Sequence, residues 1–188
     1  MSTEPSSRIP TDPNFRYSWY AKLIFANQRR RYGKELEPAR LWARTPKVFA
    51  ALSLLYGALD RRRSPIEPAL RSLITVRVSQ INWCAFCVDI NSATGLKRGV
   101  SDAQLAALAE FETSPLFDER QKAALAYAEA ITRTDVGVDD ALMARVKACF
   151  DDNAVIELTA LIAFQNMSSK FNSALDVAPQ GFCRLPRK

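Results

Sequence analysis

Histidine is absent from this sequence of 188 residues. Its absence excludes the catalytic arrangements that depend on imidazole, including Ser-His-Asp triads and Cys-His pairs, and it excludes histidine as a metal ligand. Any chemistry in this protein must therefore depend on thiols, carboxylates, amides, hydroxyls or lysine amines.

Long apolar runs are absent as well. No stretch reaches the about 18 uninterrupted apolar residues of a membrane-spanning helix, and residues 1–14 lack the apolar segment of a signal peptide. We therefore expect a cytoplasmic protein without a membrane partner. Residues 1–14 are expected to form a flexible N-terminal arm, and residues 15–188 a single helical domain.

The charge balance is basic, with 26 Lys and Arg residues against 20 Asp and Glu residues and a formal net charge of +6. A basic surface is compatible with nucleic acid binding. However, the arginine triplets at residues 29–31 and 61–63 lie near predicted helix ends, where cations interact favourably with the helix dipole. No nucleic-acid-binding motif accompanies them, so we expect no nucleic acid partner.

Helix start signals recur at short intervals along the chain. Ser64 and Ser101 are each followed three residues later by a side chain, Glu67 or Gln104, that completes a capping box. Further N-caps are predicted at Thr45, Asp118, Asp139 and either Asp151 or Asp152. Residues 74–79 alternate as a strand does, but the wider apolar pattern that begins at Ser64 favours a helix. The sequence therefore predicts an all-α fold with about eight helices.

The clearest chemical motif is a pair of cysteines, Cys84 and Cys87, that are three residues apart and share one face of a helix. With Asn82 as N-cap, Cys84 lies in the first helical turn, where the dipole favours a thiolate. This cysteine pair has three interpretations: a zinc site, a structural pair of buried thiols, or a redox-active pair. Zinc is disfavoured because Cys149 and Cys183 are distant in sequence, so we expect no metal and favour redox chemistry.

The segments at residues 70–101, 118–133 and 157–177, with the spacing between them, resemble the carboxymuconolactone decarboxylase and alkylhydroperoxidase D-like superfamily. The resemblance implies an all-helical fold that assembles as a homo-oligomer, commonly a dimer, trimer or hexamer. It also implies an antioxidant thiol peroxidase without a cofactor, which reduces an alkyl hydroperoxide or a disulfide and is re-reduced by a thiol system. In that scheme Cys87 is the peroxidatic cysteine and Cys84 the resolving cysteine.

The sequence departs from that family at the positions of its proton relay. Asn91 stands where the peroxidases have a histidine, Ser72 where they have a glutamate, and Phe86 where histidine is common. Asn91 lies one helical turn from Cys87, so its amide is able to hydrogen-bond a thiolate but not to accept a proton. Glu67 and Glu129 are the candidate substitutes, although the capping box already accounts for Glu67.

We expect the remaining residues near the motif, and the two other cysteines, to have no catalytic role. We expect Asp89 to be solvated on a divergent face, and Trp83 and Phe86 to pack in a pocket wall. Cys149 falls on the core face of its helix, whereas Cys183 has no periodic context and is either free or paired across an oligomer interface.

Two functions from different classes remain open. The leading one is a thiol-dependent alkyl hydroperoxidase or disulfide oxidoreductase. The alternative is a redox-sensing or catalytically attenuated oligomeric protein, because the relay residues are missing. A weaker third possibility is an enzyme that acts on an unrelated small molecule in the same pocket.

Overall fold

The computed structural model describes residues 7–10, 12 and 14–183 of the chain. Over these residues the chain is all-helical, with nine α-helices and no strand. The helices are α1 (Trp19–Tyr32), α2 (Glu37–Trp42), α3 (Pro46–Leu59), α4 (Pro68–Ile81), α5 (Ala85–Lys97), α6 (Asp102–Ala106), α7 (Glu119–Thr132), α8 (Asp140–Cys149) and α9 (Asp152–Ala174). The predicted all-α class is confirmed. The count is close to the prediction of about eight helices, and α2, of six residues, is too short to show a helical period in the sequence.

The main core lies where α4 is surrounded by α5, α7 and α9. Ile74 and Val78 share one face of α4 and Val76 lies on the opposite face, yet all three are buried. This burial on several sides explains the strand-like alternation of residues 74–79, because a helix enclosed by its neighbours has no polar stripe. The helix predicted over this segment is confirmed.

The capping predictions are confirmed at most positions. Ser101–Gln104 and Asp118–Gln121 form reciprocal capping boxes, and Thr45, Asp139 and Asp151 occupy N-cap positions. Each box satisfies backbone N–H groups that have no partner in the first helical turn.

The predicted capping box at Ser64 is wrong. Helix α4 begins at Pro68, with Glu67 at the N-cap position and no cap bond from its side chain. Ser64 instead accepts from the Ile66 N–H at 3.1 Å and donates to the Glu157 carboxylate. Because Ile66 is fully buried, the chain turns into the core before the helix starts.

Helices α1 to α3 form a smaller second cluster, built on Ala21, Phe25, Ala39, Ala43 and Phe49. Helix α3 contacts α2 and α9, and this cluster covers one side of α9. No helix in the described part of the chain is both long and apolar enough to cross a membrane.

The start of the described chain lies against the end of α9. The Arg8 N–H donates to the Leu175 carbonyl at 2.7 Å, and the Arg8 guanidinium donates to the Ala174 carbonyl at 3.1 Å. Most of the predicted N-terminal arm, residues 1–6, 11 and 13, lies outside the described residues.

Candidate functional site

Cys84 and Cys87 are joined by a disulfide at the start of α5, with their Cα atoms 5.3 Å apart. Cys84 is the N-cap of α5 and Cys87 lies in its first turn. The predicted N-cap at Asn82 is wrong, because Asn82 ends α4 and Trp83 turns the chain with a positive φ of 54°. Both cysteines are only 2% exposed, so the pair is buried beneath the protein surface.

Each sulfur accepts a hydrogen bond from one N–H group. The backbone N–H of Cys87 donates to Cys84 Sγ at 3.2 Å. The side-chain amide of Asn172, which comes from α9, donates to Cys87 Sγ at 3.2 Å. Donors of this kind stabilise a thiolate once the disulfide is reduced. Sequence reasoning missed Asn172, since it lies 85 residues from Cys87 in the chain.

Asn91 was expected to lie beside Cys87 and hydrogen-bond its sulfur. Its amide instead donates to Ser79 Oγ at 3.3 Å, and Gln165 of α9 donates to the same oxygen at 2.9 Å. Asn91 and Cys87 nevertheless line one cavity. The Asn91 amide therefore helps to join α4, α5 and α9 behind the disulfide.

Ser72 lines the same cavity and is 1% exposed. Its hydroxyl donates to the Pro68 carbonyl at 3.1 Å within α4. A Cβ added at Gly95 of α5 would lie 3.3 Å from Ser72 Cβ, so the two helices approach closely here. The small side chain of Ser72 allows the two helices to come this close. Its hydroxyl does not replace the carboxylate base that the peroxidases have at this position.

The two glutamates proposed as substitute bases lie outside the cysteine site. Glu129 pairs with Arg77 and with Arg133, the latter at 3.7 Å. Glu67 is 58% exposed in its side chain and pairs with Arg120 at 3.3 Å. Neither glutamate lines the cavities beside the cysteines. The structure thus brings together four of the six predicted site residues: Cys84, Cys87, Asn91 and Ser72. Glu67 and Glu129 lie elsewhere.

Asp89 is buried, at 9% exposure, which contradicts the expected solvated position. Its carboxylate accepts from the backbone N–H groups of Gln180, at 2.9 Å, and Cys183, at 2.7 Å. The segment at residues 177–183 folds back over α5 and shields this carboxylate from water. It has no periodic sequence pattern, so the contact was not predictable from the sequence.

The two aromatic side chains beside the cysteines, Phe86 and Trp83, differ in how far they are buried. Phe86 is buried and packs edge-on against Phe182, with ring centroids 6.5 Å apart. Trp83 lines a cavity together with Cys84, but it is 87% exposed, so it is not packed there as expected. The positive φ at Trp83 ends α4, and its side chain lies on the surface.

Two cavities flank the disulfide, and a different cysteine lines each one. The first, here called the Cys87 cavity, has a volume of about 420 Å³ and lies between the α1–α3 cluster and α9. Trp42, Phe49 and Phe164 give it an aromatic lining, and Asn172 also lines it. The second, here called the Cys84 cavity, has a volume of about 700 Å³ and is lined by Cys84, Asp89 and Cys183, among others.

Charged and phenolic groups line part of the Cys87 cavity. Arg98 donates to both carboxylate oxygens of Asp60, at 2.7 and 2.8 Å, and Arg71 lies 3.6 Å from the same carboxylate. Burial lowers the pKa of Arg71, and Asp60 opposes that effect. Burial, followed by Asp60, raises the pKa of Tyr56 to about 12, so this phenol stays protonated at neutral pH. Among the described residues, Asp60 is the one carboxylate that lines this cavity, and two arginines neutralise it.

The geometry can be compared with known proteins. The profile of the carboxymuconolactone decarboxylase family matches residues 46–130, which contain the cysteine pair. The protein YnjA of Escherichia coli (strain K12) is 48% identical over all of this chain and 99% of its own length. The chain belongs to the carboxymuconolactone decarboxylase family. The recognition made from the sequence segments is thereby confirmed.

Solved structures share the fold of this chain. A peroxidase-related protein from Ralstonia eutropha JMP134, described as an alkylhydroperoxidase AhpD core, superposes with a TM-score of 0.85 over 96% of both chains at 20% identity. The debrominase Bmp8 superposes with a TM-score of 0.77 over 87% of this chain and 88% of its own, at 22% identity. At these identities the similarity shows a shared fold, and this carboxymuconolactone decarboxylase family includes enzymes.

Proposed function

We propose that the protein is a thiol-dependent peroxidase that reduces organic hydroperoxides with Cys87 and closes a Cys84–Cys87 disulfide. The observation that carries the proposal is the buried disulfide whose two cysteines line different cavities. A substrate in the Cys87 cavity meets one sulfur, while a reductant in the Cys84 cavity meets the other. Such a division lets a single pair cycle between two partners.

The reaction begins with Cys87 as a thiolate. Its sulfur attacks the terminal oxygen of the hydroperoxide, the O–O bond breaks, and the alkoxide leaves as an alcohol after taking a proton. Cys87 is then a sulfenic acid. The Cys84 thiol attacks that sulfur, and water leaves as the disulfide forms. An external dithiol later restores both thiols and is itself oxidised to a disulfide.

Thiol ionisation in this scheme depends on hydrogen-bond donors rather than on a neighbouring base. Asn172 donates to Cys87, and the first turn of α5 adds the positive end of a helix dipole. A positioned base typically contributes about 10²–10⁴-fold to a rate. Because no carboxylate or imidazole occupies that place among the described residues, we expect slow turnover that increases as pH rises through the pKa of the Cys87 thiol.

The lining of the Cys87 cavity supports an organic substrate over hydrogen peroxide. Aromatic rings form much of its wall, and a volume of about 420 Å³ accommodates a small aromatic or branched alkyl group. Arg71 and Arg98 share one carboxylate, which favours a substrate of neutral or acidic character. A brominated aromatic compound belongs in the substrate panel, because a debrominase shares the fold.

The test compares hydroperoxide consumption by three chains in the presence of a dithiol. The wild type should consume cumene hydroperoxide, and Cys87→Ser should lose this activity. Cys149→Ser is the matched control, because Cys149 is a free thiol of intermediate burial on α8 and lines neither cavity. Equal hydroperoxide consumption by the wild type and by a Cys84→Ser, Cys87→Ser double variant would refute the peroxidase proposal.

A redox sensor is the second candidate, and the contact between Asp89 and the C-terminal segment favours it. Asp89 lies on the same helix as both cysteines and binds two backbone N–H groups of residues 180 and 183. Opening or closing the disulfide at the start of α5 would change the surface on which that segment rests. Thiol titration with peroxide, followed by measurement of oligomer size, separates the candidates: oxidation without turnover, with a change in size, favours the sensor.

Assembly into a homo-oligomer is also proposed. Helix α3 leaves Val48, Leu54 and Leu55 exposed, and Leu54 retains 77% of its accessible surface. Trp19 of α1 is 75% exposed as well. Apolar exposure of this kind is typical of a surface that another chain covers. Light scattering should give a mass of at least two chains for the wild type, and a monomer would overturn this proposal.

A further inference from the structure

Cys183 lies at the end of the described chain and lines the same cavity as Cys84. It is a free cysteine of intermediate burial. Its backbone N–H is held 2.7 Å from Asp89, on the helix that carries the disulfide. The lining of this cavity thus includes a free cysteine and one cysteine of the disulfide.

The segment before Cys183 is anchored at several points. The Gln180 side chain donates to the Glu35 carbonyl at 3.2 Å and accepts from the Glu37 N–H at 3.1 Å. Phe182 packs against Phe86 and Tyr32, with centroid distances of 6.5 and 5.7 Å. These contacts fix the course of the chain up to the cavity, so that Cys183 lies there because of the fold.

Burial of the Cys84–Cys87 disulfide restricts the access of a reducing thiol, and Cys183 lies where it is easier to reach. Thiol–disulfide exchange requires a thiolate to reach a disulfide sulfur, so its rate depends on access. Cys84 and Cys87 are each 2% exposed, which keeps a protein-sized dithiol from contacting them. Cys183 is more accessible and faces the Cys84 cavity.

We propose that Cys183 is an exchange thiol that opens the Cys84–Cys87 disulfide from the Cys84 cavity. The Cys183 thiolate attacks Cys84 Sγ and forms a Cys84–Cys183 disulfide. The Cys84–Cys87 bond breaks, and its electron pair remains on Cys87 as a thiolate that still accepts from Asn172. An external dithiol then attacks the sulfur of Cys183, becomes oxidised to a disulfide, and leaves three free thiols.

The proposal takes Cys84 as the sulfur at which the disulfide is opened, and in this it rests on the proposed function. Its test nevertheless requires no peroxide. Full-length Cys87→Ser protein is oxidised with diamide, which takes two electrons and two protons from a pair of thiols, and the disulfides are mapped by peptide mass. We expect a Cys84–Cys183 link within one chain. Free Cys84 and Cys183 thiols, or a link to Cys149, would overturn the proposal.

A kinetic comparison in chains that keep both paired cysteines provides the second arm. Oxidised wild type, Cys183→Ser and Cys149→Ser are reduced with thioredoxin, and release of the Cys87 thiol is followed by alkylation and mass spectrometry. An internal thiol acts at an effective concentration in the millimolar range, which is about tenfold above ~0.1 mM thioredoxin. Because burial of the pair also hinders direct attack by thioredoxin, we expect Cys183→Ser to be reduced at least about tenfold more slowly. The Cys149→Ser rate should match the wild type. Equal rates for wild type and Cys183→Ser would refute the exchange role, whether or not the protein reduces peroxides.

Discussion

Asn172 offers the sharpest test of how the cysteine site ionises. The residue is 2% exposed and its side-chain amide donates to Cys87 Sγ at 3.2 Å. A hydrogen bond to a charged group contributes about 1.5–3 kcal/mol, and about 1.4 kcal/mol corresponds to one pH unit of pKa. Asn172→Ala should therefore raise the pKa of the reduced Cys87 thiol by about one to two pH units. At any pH below the wild-type pKa of Cys87, the fraction of thiolate, and with it the rate with hydroperoxide, should fall by about 10- to 100-fold.

The sign of the effect follows from the charge of the two thiol states. The amide N–H stabilises the thiolate more than the neutral thiol, so its loss shifts ionisation to higher pH. Asn172→Asp should have a larger effect in the same direction, because a carboxylate repels the thiolate and removes the donor. At high pH the Asn172→Ala rate should approach that of the wild type.

The assay is a pH titration of thiolate absorbance and of alkylation rate in reduced protein. Asn166→Ala is the matched control, because Asn166 lies on the same helix but bonds to Asn82 and Thr132 rather than to sulfur. A Cys87 pKa in Asn172→Ala that equals the wild-type value would refute the ionisation argument. An equal increase in Asn166→Ala would indicate a general effect of disturbing α9.

Three further perturbations test other parts of the structure. Asp89→Ala removes the acceptor for the Gln180 and Cys183 N–H groups, so limited proteolysis should cleave residues 178–183 faster while helical circular dichroism stays unchanged; protection equal to that of the wild type would contradict the anchoring role. Glu129→Gln should leave the hydroperoxide rate within about twofold, since a base would contribute at least about 10²-fold and Glu129 instead pairs with Arg77. Leu158→Ala should lower the free energy of unfolding in urea by about 2–5 kcal/mol, because Leu158 is fully buried in the main core; a loss under about 1 kcal/mol would show that α9 is not central.

The sequence predicts the helices well where the signals are local. Capping boxes at Ser101 and Asp118 depend on contacts across three residues, and both form as expected. The capping box at Ser64 fails because Ile66 is drawn into the core, a tertiary effect that local spacing does not contain. The start of α5 differs from the prediction for a similar reason, since the left-handed turn at Trp83 interrupts a run of apolar residues.

The candidate site is predictable only in part. The spacing of Cys84 and Cys87 marks the pair, and their disulfide forms as the helical geometry permits. Asn172 and the partners of Asp89 are separated from the motif by 85 to 94 residues, so their contacts depend on how α9 and the following segment pack against α5. Long-range packing of this kind has no signature in the spacing of a single sequence. It also explains why Glu129, a plausible base by residue type, pairs with an arginine elsewhere.

A single-turnover reaction of the reduced protein with one equivalent of an organic hydroperoxide tests the central claim most directly. The account predicts one alcohol per chain and a Cys84–Cys87 disulfide in the wild type. Cys84→Ser should stop at a sulfenic acid on Cys87, trapped with dimedone, and Cys87→Ser should consume no hydroperoxide. Sulfenic acid on Cys84 in the Cys87→Ser chain, formed as fast as the wild type reacts, would contradict the assignment of the two sulfurs.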